Sequence, residues 1–386
     1  MKKILSVFLA VTMLLSCLVL ASSAAVNADK TLKFNDDGTF KIMQMNDIQE
    51  VGKGFNKKTL AFINAALDAE QPDLVVFVGD QLSDVYPLAN KEDYAKAIDT
   101  MVQPLVERGI PFLMTLGNHD HDRASKMAEN EMVNLYTAYD NCYATLNGPD
   151  PFTYNVLVKS SDGAKDALNI YMVDSNNKAE AGGYAGVYAD QVAWYNAKSA
   201  ELKAANGGIP MPSLNFQHVP VKEIYGLFKE CDSNTKDAIY SRRDGKWYVI
   251  DETKAQGVLG EAPCSEDFDN ITGQYQAWLA NGDIIGAWFA HDHVNNFAGV
   301  TDEGIRMGYN GGTGFRSYGN GGDRSVRVYE LNENDVANYT TRLVTYNDVI
   351  EPDVDVVVND LFSPTLLTTL MKVVYFFFGW IIKLFK

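Results

Sequence analysis

Five short apolar runs in this chain lead directly into a side chain that can bind a metal. Phe40 to Met45 leads to Asp47, Leu74 to Val78 to Asp80, and Ile110 to Leu116 to Asn118. Ser213 to Phe216 leads to His218, and Ile284 to Phe289 to His291. Runs this continuously apolar predict strands covered on both faces, because a strand with one wet face alternates. Leu168 to Val173 reads as a sixth. Lys57 to Ala69, Lys91 to Arg108, Asp190 to Ala205 and Gly273 to Ala280 read as helices, the third stopping at Asn206-Gly207-Gly208. Strands alternating with helices predict an α/β fold. Open α/β sheets bind ligands beyond the carboxyl ends of their strands, so residues far apart in sequence point to one shared site.

Histidine usage sharpens that expectation. The chain has five histidines, and all lie in such segments. They are His119 and His121 in Gly117-Asn118-His119-Asp120-His121-Asp122, His218 in Gln217-His218-Val219, and His291 and His293 in Ala290-His291-Asp292-His293. Imidazole is the commonest nitrogen ligand for transition metals. A polynuclear metal site follows, with Asp47 and Asp80 as the carboxylates that complete it.

In this order the segments resemble the calcineurin-like metallophosphoesterase superfamily, and within it the bacterial purple acid phosphatase-like branch. The family pattern is Asp-x-His, Gly-Asp, Gly-Asn-His-Asp/Glu, a lone His and Gly-His-x-His. The chain supplies Asp47-Ile48-Gln49, Gly79-Asp80, Gly117-Asn118-His119-Asp120, His218 and Ala290-His291-Asp292-His293. Three positions depart from it. Gln49 stands where the family has histidine, Ala290 replaces a glycine, and Ser83 replaces the tyrosine that binds iron in the purple enzymes.

The resemblance implies a two-sheet β-sandwich flanked by helices, holding two divalent or trivalent transition-metal ions of the Fe, Mn or Zn class. One ion would take Asp47, Asp80 and His293, with Gln49 either offering its amide oxygen or pointing away. The other would take Asp80, Asn118, His218 and His291. Two metals about 3.5–4 Å apart can share a hydroxide and clamp phosphoryl oxygens during in-line attack. His119 resembles the general acid that protonates the leaving oxygen. Asp120 is expected to orient His119, and Asp122 a neighbouring ligand. His121 matches no family role and reads as a surface-loop residue. No Gly-x-Ser-x-Gly elbow offers a serine nucleophile.

The implied substrate is a phosphate ester, with a phosphomonoester favoured over a phosphodiester or nucleotide. A rival of another class is a metal-binding surface protein without catalysis, which Gln49 alone supports. The formal net charge of −17 argues against nucleic acid as a partner, since a phosphate backbone needs a basic footprint.

The chain divides into a signal peptide over 1–28, a catalytic domain over 29–350, and a linker with an apolar helix over 351–386. Lys2 and Lys3, the apolar stretch Ile4 to Leu20, and Val26-Asn27-Ala28 form the leader and its cleavage site; a lipoprotein signal ending at Cys17 is the alternative. Either places the protein outside the cytoplasm, secreted or held at the cell surface. Of the remaining cysteines, Cys231 and Cys264 flank one insertion and either pair or, with Cys142, stay free thiols. That insertion, Lys222 to Glu266, is polar and falls at the mouth of the site. The glycine-rich stretch from Gly308 to Gly322 reads as a structural turn before a substrate cradle. Ser325 to Leu331 and Thr340 to Tyr346 alternate as half-buried strands.

The tail is the second unusual feature. Leu361 to Lys386 carries Phe376-Phe377-Phe378-Gly379-Trp380, with Lys372, Lys383 and Lys386 on one helical stripe beside threonines. This predicts a helix lying in a membrane interface. A spanning helix from Pro364 to Ile382 and a docking helix are its alternatives.

Overall fold

Leu74–Val78 is buried along its whole length, as a strand covered on both faces must be. In the computed structural model, which describes residues 30–350 apart from 52–53, 84–88, 123–126, 180–182 and 265–271, it lies inside a five-stranded sheet. That sheet uses β1 (Thr39–Met45), β2 (Leu74–Val78) and β3 (Phe112–Thr115), which run parallel. The crossover between β1 and β2 is helix α1 (Lys57–Glu70), and that between β2 and β3 is α2 (Lys91–Arg108).

Local chemistry sets those helices. Asn56 caps α1 by accepting from the backbone N–H groups of Lys58 and Thr59, which satisfies donors left over in the first turn. Phe62, Ile63, Ala66 and Leu67 form the buried face of α1. A reciprocal Asn90–Asp93 capping box starts α2, and Gly109 in the left-handed region ends it.

The second sheet is eight-stranded and mixed. Its middle is β4 (Tyr154–Lys159), β5 (Asp166–Val173), β6 (Ser213–Gln217), β8 (Ile284–Phe289) and β10 (Arg306–Tyr309) in that spatial order. Beyond β10 lie β9 (Asn296–Val300) and, at the edge, β7 (Ala255–Val258). β11 (Ser325–Asn332) and β12 (Thr340–Thr345) complete the first sheet beside β1. The two sheets meet where Phe216 and Trp288 of the larger one pack edge-on against Tyr329 of the smaller. On the other face of the larger sheet, Tyr171 packs on Trp194 and Tyr195 of α4 (Ala189–Ala205). The mixed α/β sandwich with outer helices is therefore as expected.

Several elements were not legible. The strands Tyr154–Lys159, Asn296–Val300 and Arg306–Tyr309 and the helix Glu129–Thr137 (α3) had no assignment of their own. They are short, and none ends in a candidate ligand. The insertion holds a three-stranded antiparallel sheet, with Trp247–Ile250 between Phe228–Cys231 and Ile239–Tyr240. β12 stops at Thr345, where a capping box with Asp348 opens a short helix, Tyr346–Val349. Cys142, Cys231 and Cys264 are all free thiols. Among the described residues no helix is long and apolar enough to cross a membrane. The leader and the C-terminal apolar helix lie outside the described residues.

Candidate metal centre

The loops that follow β1 and β2 are zipped together past the ends of their strands. Asp47 N–H donates to the Gly79 carbonyl at 3.1 Å, Gln49 N–H to Asp80 at 2.8 Å, and Glu50 N–H to Gln81 at 3.0 Å. The backbone turns sharply to do this. Asp47, Gln49, Asp80 and His291 all sit in the left-handed region, at φ 49°, 49°, 53° and 79°. Non-glycine residues rarely adopt it, and such strain gathers where surrounding structure demands a side-chain direction. Two glycines let the loops close. A Cβ on Gly79 would lie 2.5 Å from His218 Nδ1, and one on Gly117 would lie 2.3 Å from Asp80 Oδ1.

The structure brings three of the expected ligands together. Ligand atoms of Asp47, Asp80 and His218 lie within 4.8 Å of one another, and all three residues are buried. His218 donates Nδ1–H to the Val78 carbonyl at 2.9 Å. A carbonyl only accepts, so this bond fixes the tautomer and turns the Nε2 lone pair into the site. Nε2 then stands 3.2 Å from Asp80 Oδ2 and 3.9 Å from Asp47 Oδ1. His293 repeats the device. Its Nδ1–H is donated to the Tyr318 carbonyl at 2.8 Å, its ring stacks on Tyr318, and its Nε2 lies 3.1 Å from Asp47 Oδ1.

Lone pairs facing lone pairs need a positive charge between them, either a proton on Nε2 or a metal ion. Burial pulls His218 down, yet Asp80 and Asp47 outweigh it and push it up to about 10. Burial likewise raises Asp47 and Asp80, but His293 and His218 hold Asp47, and His218, His119 and His291 hold Asp80, below the usual carboxylate range. Asp47 Oδ1, Asn118 Oδ1 and His218 Nε2 are buried without a hydrogen-bond partner. Unpartnered buried polar atoms call for an explanation. Two carboxylates, an amide oxygen and imidazoles form a donor set suited to transition-metal ions, so the residues fit the metals that the sequence implies.

Gln49 points inward. Its amide nitrogen lies 3.2 Å from Asp80 Oδ2 and 3.3 Å from His293 Nε2. A half-turn of the amide would present the oxygen instead. His291 N–H donates to Asp47 Oδ2 at 3.1 Å, and its Nδ1 is 3.3 Å from Asp292 Oδ1. The His291 and His218 rings are 5.3 Å apart. His119 N–H donates to Asp80 Oδ1 at 2.8 Å, while its imidazole sits half-exposed at the rim.

Three expectations are corrected. Asp120 does not orient His119. Its carboxylate accepts from the N–H groups of Gly117, Leu82 and Gln81 and so fastens the two ligand loops together. Burial, reinforced by Asp80, pushes it up to about 7. The partner of His119 is Asp122, whose Oδ2 lies 2.7 Å from Nδ1. His121 is no surface residue. It is half-buried, held between Asp174 Oδ1 at 2.9 Å and Glu129 Oε1 at 3.3 Å. Burial lowers it, but Asp174 and Glu129 push it up to about 11.

The glycine-rich stretch begins in the strand Arg306–Tyr309 and lies against the metal-site loops. It packs on the first ligand loop, with Thr313 N–H on the Asn46 carbonyl and Gly314 N–H on that of Asp47. A Cβ on Gly314 would come within 2.0 Å of the Ile48 carbonyl oxygen. Two supporting residues escaped notice in the sequence. Asp292 lies between two ligand histidines, a signal that was available. Tyr318 contributes only a carbonyl and a ring face, which carry no signature.

The family model for calcineurin-like phosphoesterases matches residues 40–295. Probable inactive purple acid phosphatase 14 of Arabidopsis thaliana is 28% identical over 369 residues, covering 85% of this chain and 84% of its own. Phosphatase DCR2 of Saccharomyces cerevisiae is 25% identical over 340 residues, covering 79% of this chain and 53% of its own. Among solved structures, GAP50, the anchor in the inner membrane complex of Plasmodium, is 14% identical with a TM-score of 0.47, covering 81% of this chain and 86% of its own.

Proposed function

The chain belongs to the calcineurin-like phosphoesterase family, and from that premise we propose that it is an exported, dinuclear metal-dependent hydrolase of phosphomonoesters. The convergence of Asp47, Asp80 and His218 supports this most directly. Asp47, Gln49, Asp80 and His293 would hold one transition-metal ion, and Asp80, Asn118, His218 and His291 the other. Bound there, the ions would supply Lewis-acid stabilisation of the phosphoryl oxygens and an activated water.

The chain's own residues supply the rest. Val78 and Tyr318 fix the tautomers of His218 and His293, so both present Nε2 inward. Asp122 holds Nδ1 of His119, which leaves Nε2 as the nitrogen that delivers a proton to the leaving oxygen. Asp80 and the backbone of His119 are hydrogen-bonded, so the proton donor and the shared carboxylate keep a fixed relation.

Gln49, together with relatives named probable inactive, favours a second reading as a metal-binding protein without turnover. Metal analysis combined with hydrolysis of an aryl phosphate separates the two. Close to two ions per chain and turnover support the enzyme. Metal binding without turnover of any phosphomonoester or diester supports the alternative.

Export and membrane association rest on the sequence pattern of the leader and the tail. Truncation after Asp360 should leave hydrolysis intact, because every proposed ligand precedes it, while abolishing flotation with anionic vesicles. Flotation of neither form would refute membrane attachment.

A further inference from the structure

Cys264, His291 and Asp292 make a second group of metal-binding side chains, whose ligand atoms all lie within 4.8 Å of one another. The Asp47, Asp80 and His218 cluster contains no sulfur; this one does. Cys264 is a free, partly exposed thiol at the end of the insertion. It is held in place rather than merely nearby. Its N–H donates to Asp292 Oδ2 at 2.9 Å, and the preceding Pro263 carbonyl accepts from Tyr225 OH at 2.8 Å. Asp292 is buried and fixed in turn by Tyr309 OH at 2.7 Å, with its other oxygen 3.3 Å from His291 Nδ1.

Thiolate, imidazole and carboxylate together suit a borderline or soft cation such as Zn2+ or Cd2+. Mn2+ and Mg2+ prefer all-oxygen or oxygen–nitrogen sets. We propose that Cys264, His291 and Asp292 bind a thiophilic divalent cation and that this cation draws on the imidazole the phosphoesterase centre uses. Coordination forms the sulfur–metal bond and releases the thiol proton to water. A cation held there engages His291 and its partner Asp292 and so opposes loading of the neighbouring centre. Only this last consequence rests on the phosphoesterase assignment; the binding does not.

The test uses purified protein loaded with Mn2+ and titrated with Cd2+. One readout is thiolate-to-metal charge-transfer absorbance in the near ultraviolet. The other is the rate of iodoacetamide labelling at Cys264, followed by peptide mass spectrometry. The band should saturate with one Cd2+ per chain, vanish in Cys264→Ser and persist in Cys231→Ser. Labelling of the unaltered chain should slow by roughly ten-fold at a Cd2+ concentration about ten times its dissociation constant. No band, a band that survives Cys264→Ser, or labelling indifferent to Cd2+ overturns the proposal. If Cys264→Ser does not fold, the labelling arm decides alone. Neither readout needs turnover, so failure here is distinct from failure of the aryl phosphate assay.

Discussion

The two sides of the metal centre are built on one scaffold but are not equal. On the Gln49 side an amide reaches in, its nitrogen 3.2 Å from Asp80 and 3.3 Å from His293, beside an Asp47 Oδ1 that is buried without a hydrogen-bond partner. On the Asn118 side, Asn118 Oδ1 and His218 Nε2 are buried without a hydrogen-bond partner. One side has a neutral amide where the family pattern has imidazole, and amides are the poorer ligands for borderline metals. The other keeps its full donor set. One backbone frame can thus carry two unequal donor sets, because the donor atoms set affinity and the frame only places them. In the proposed assignment Asp80 alone belongs to both sides.

The largest effect should therefore come from Asp80→Ala. Loss of both ions and of all hydrolysis is expected by elemental analysis and turnover. Retention of one tightly held ion would break the view that Asp80 joins the two sides. Next, His119→Ala should lower turnover of an alkyl phosphate by about 10²–10⁴-fold with metal content nearly unchanged. An aryl phosphate, with its better leaving group, should suffer less. Equal losses on both would remove His119 from proton delivery.

His121 braces the loop that carries Asn118, through Asp174 and Glu129. His121→Ala should cost about 3 kcal/mol of stability, since it strands a buried carboxylate. The folded pKa of His121 is raised, from 6.5 to about 11. Its stabilisation is thus fully present below pH 6.5 and is lost as pH rises through 11. Denaturation of both proteins across that window should show the difference shrinking upward; a constant difference would mean that packing, and not the ion pair, is what His121 supplies.

The smallest effect, and the sharpest for the comparison, is Gln49→His. It should tighten the weaker ion by on the order of ten-fold, about 1.4 kcal/mol, and leave the tighter one unchanged. Calorimetric titration reads both. Equal tightening of the two, or of neither, would remove the asymmetry.

Much of this centre was legible because its ligands end strands that are too apolar to lie anywhere but inside a sheet. Asp47, Asp80, Asn118, His218 and His291 were each flagged by the run before them. The supporting groups were harder to read. Asp120 and Asp122 both follow His119 closely, and spacing cannot tell which carboxylate meets the imidazole. The turn does, directing Asp120 to backbone N–H groups and Asp122 to Nδ1. His121 looked like a loop residue because its partners, Asp174 and Glu129, lie at a strand's end and in a helix that had no clear periodic signal.

By itself the sequence determined the α/β alternation, the ligand types and their order, since burial of apolar runs and the chemistry of side chains are local properties. Only the tertiary structure decided which nitrogen of His218 and of His293 faces the site, that Gln49 turns inward, and that Cys264 stands beside His291. Each of these depends on a carbonyl, a carboxylate or a loop brought from far along the chain, and such meetings are fixed by packing, which no short stretch of residues encodes.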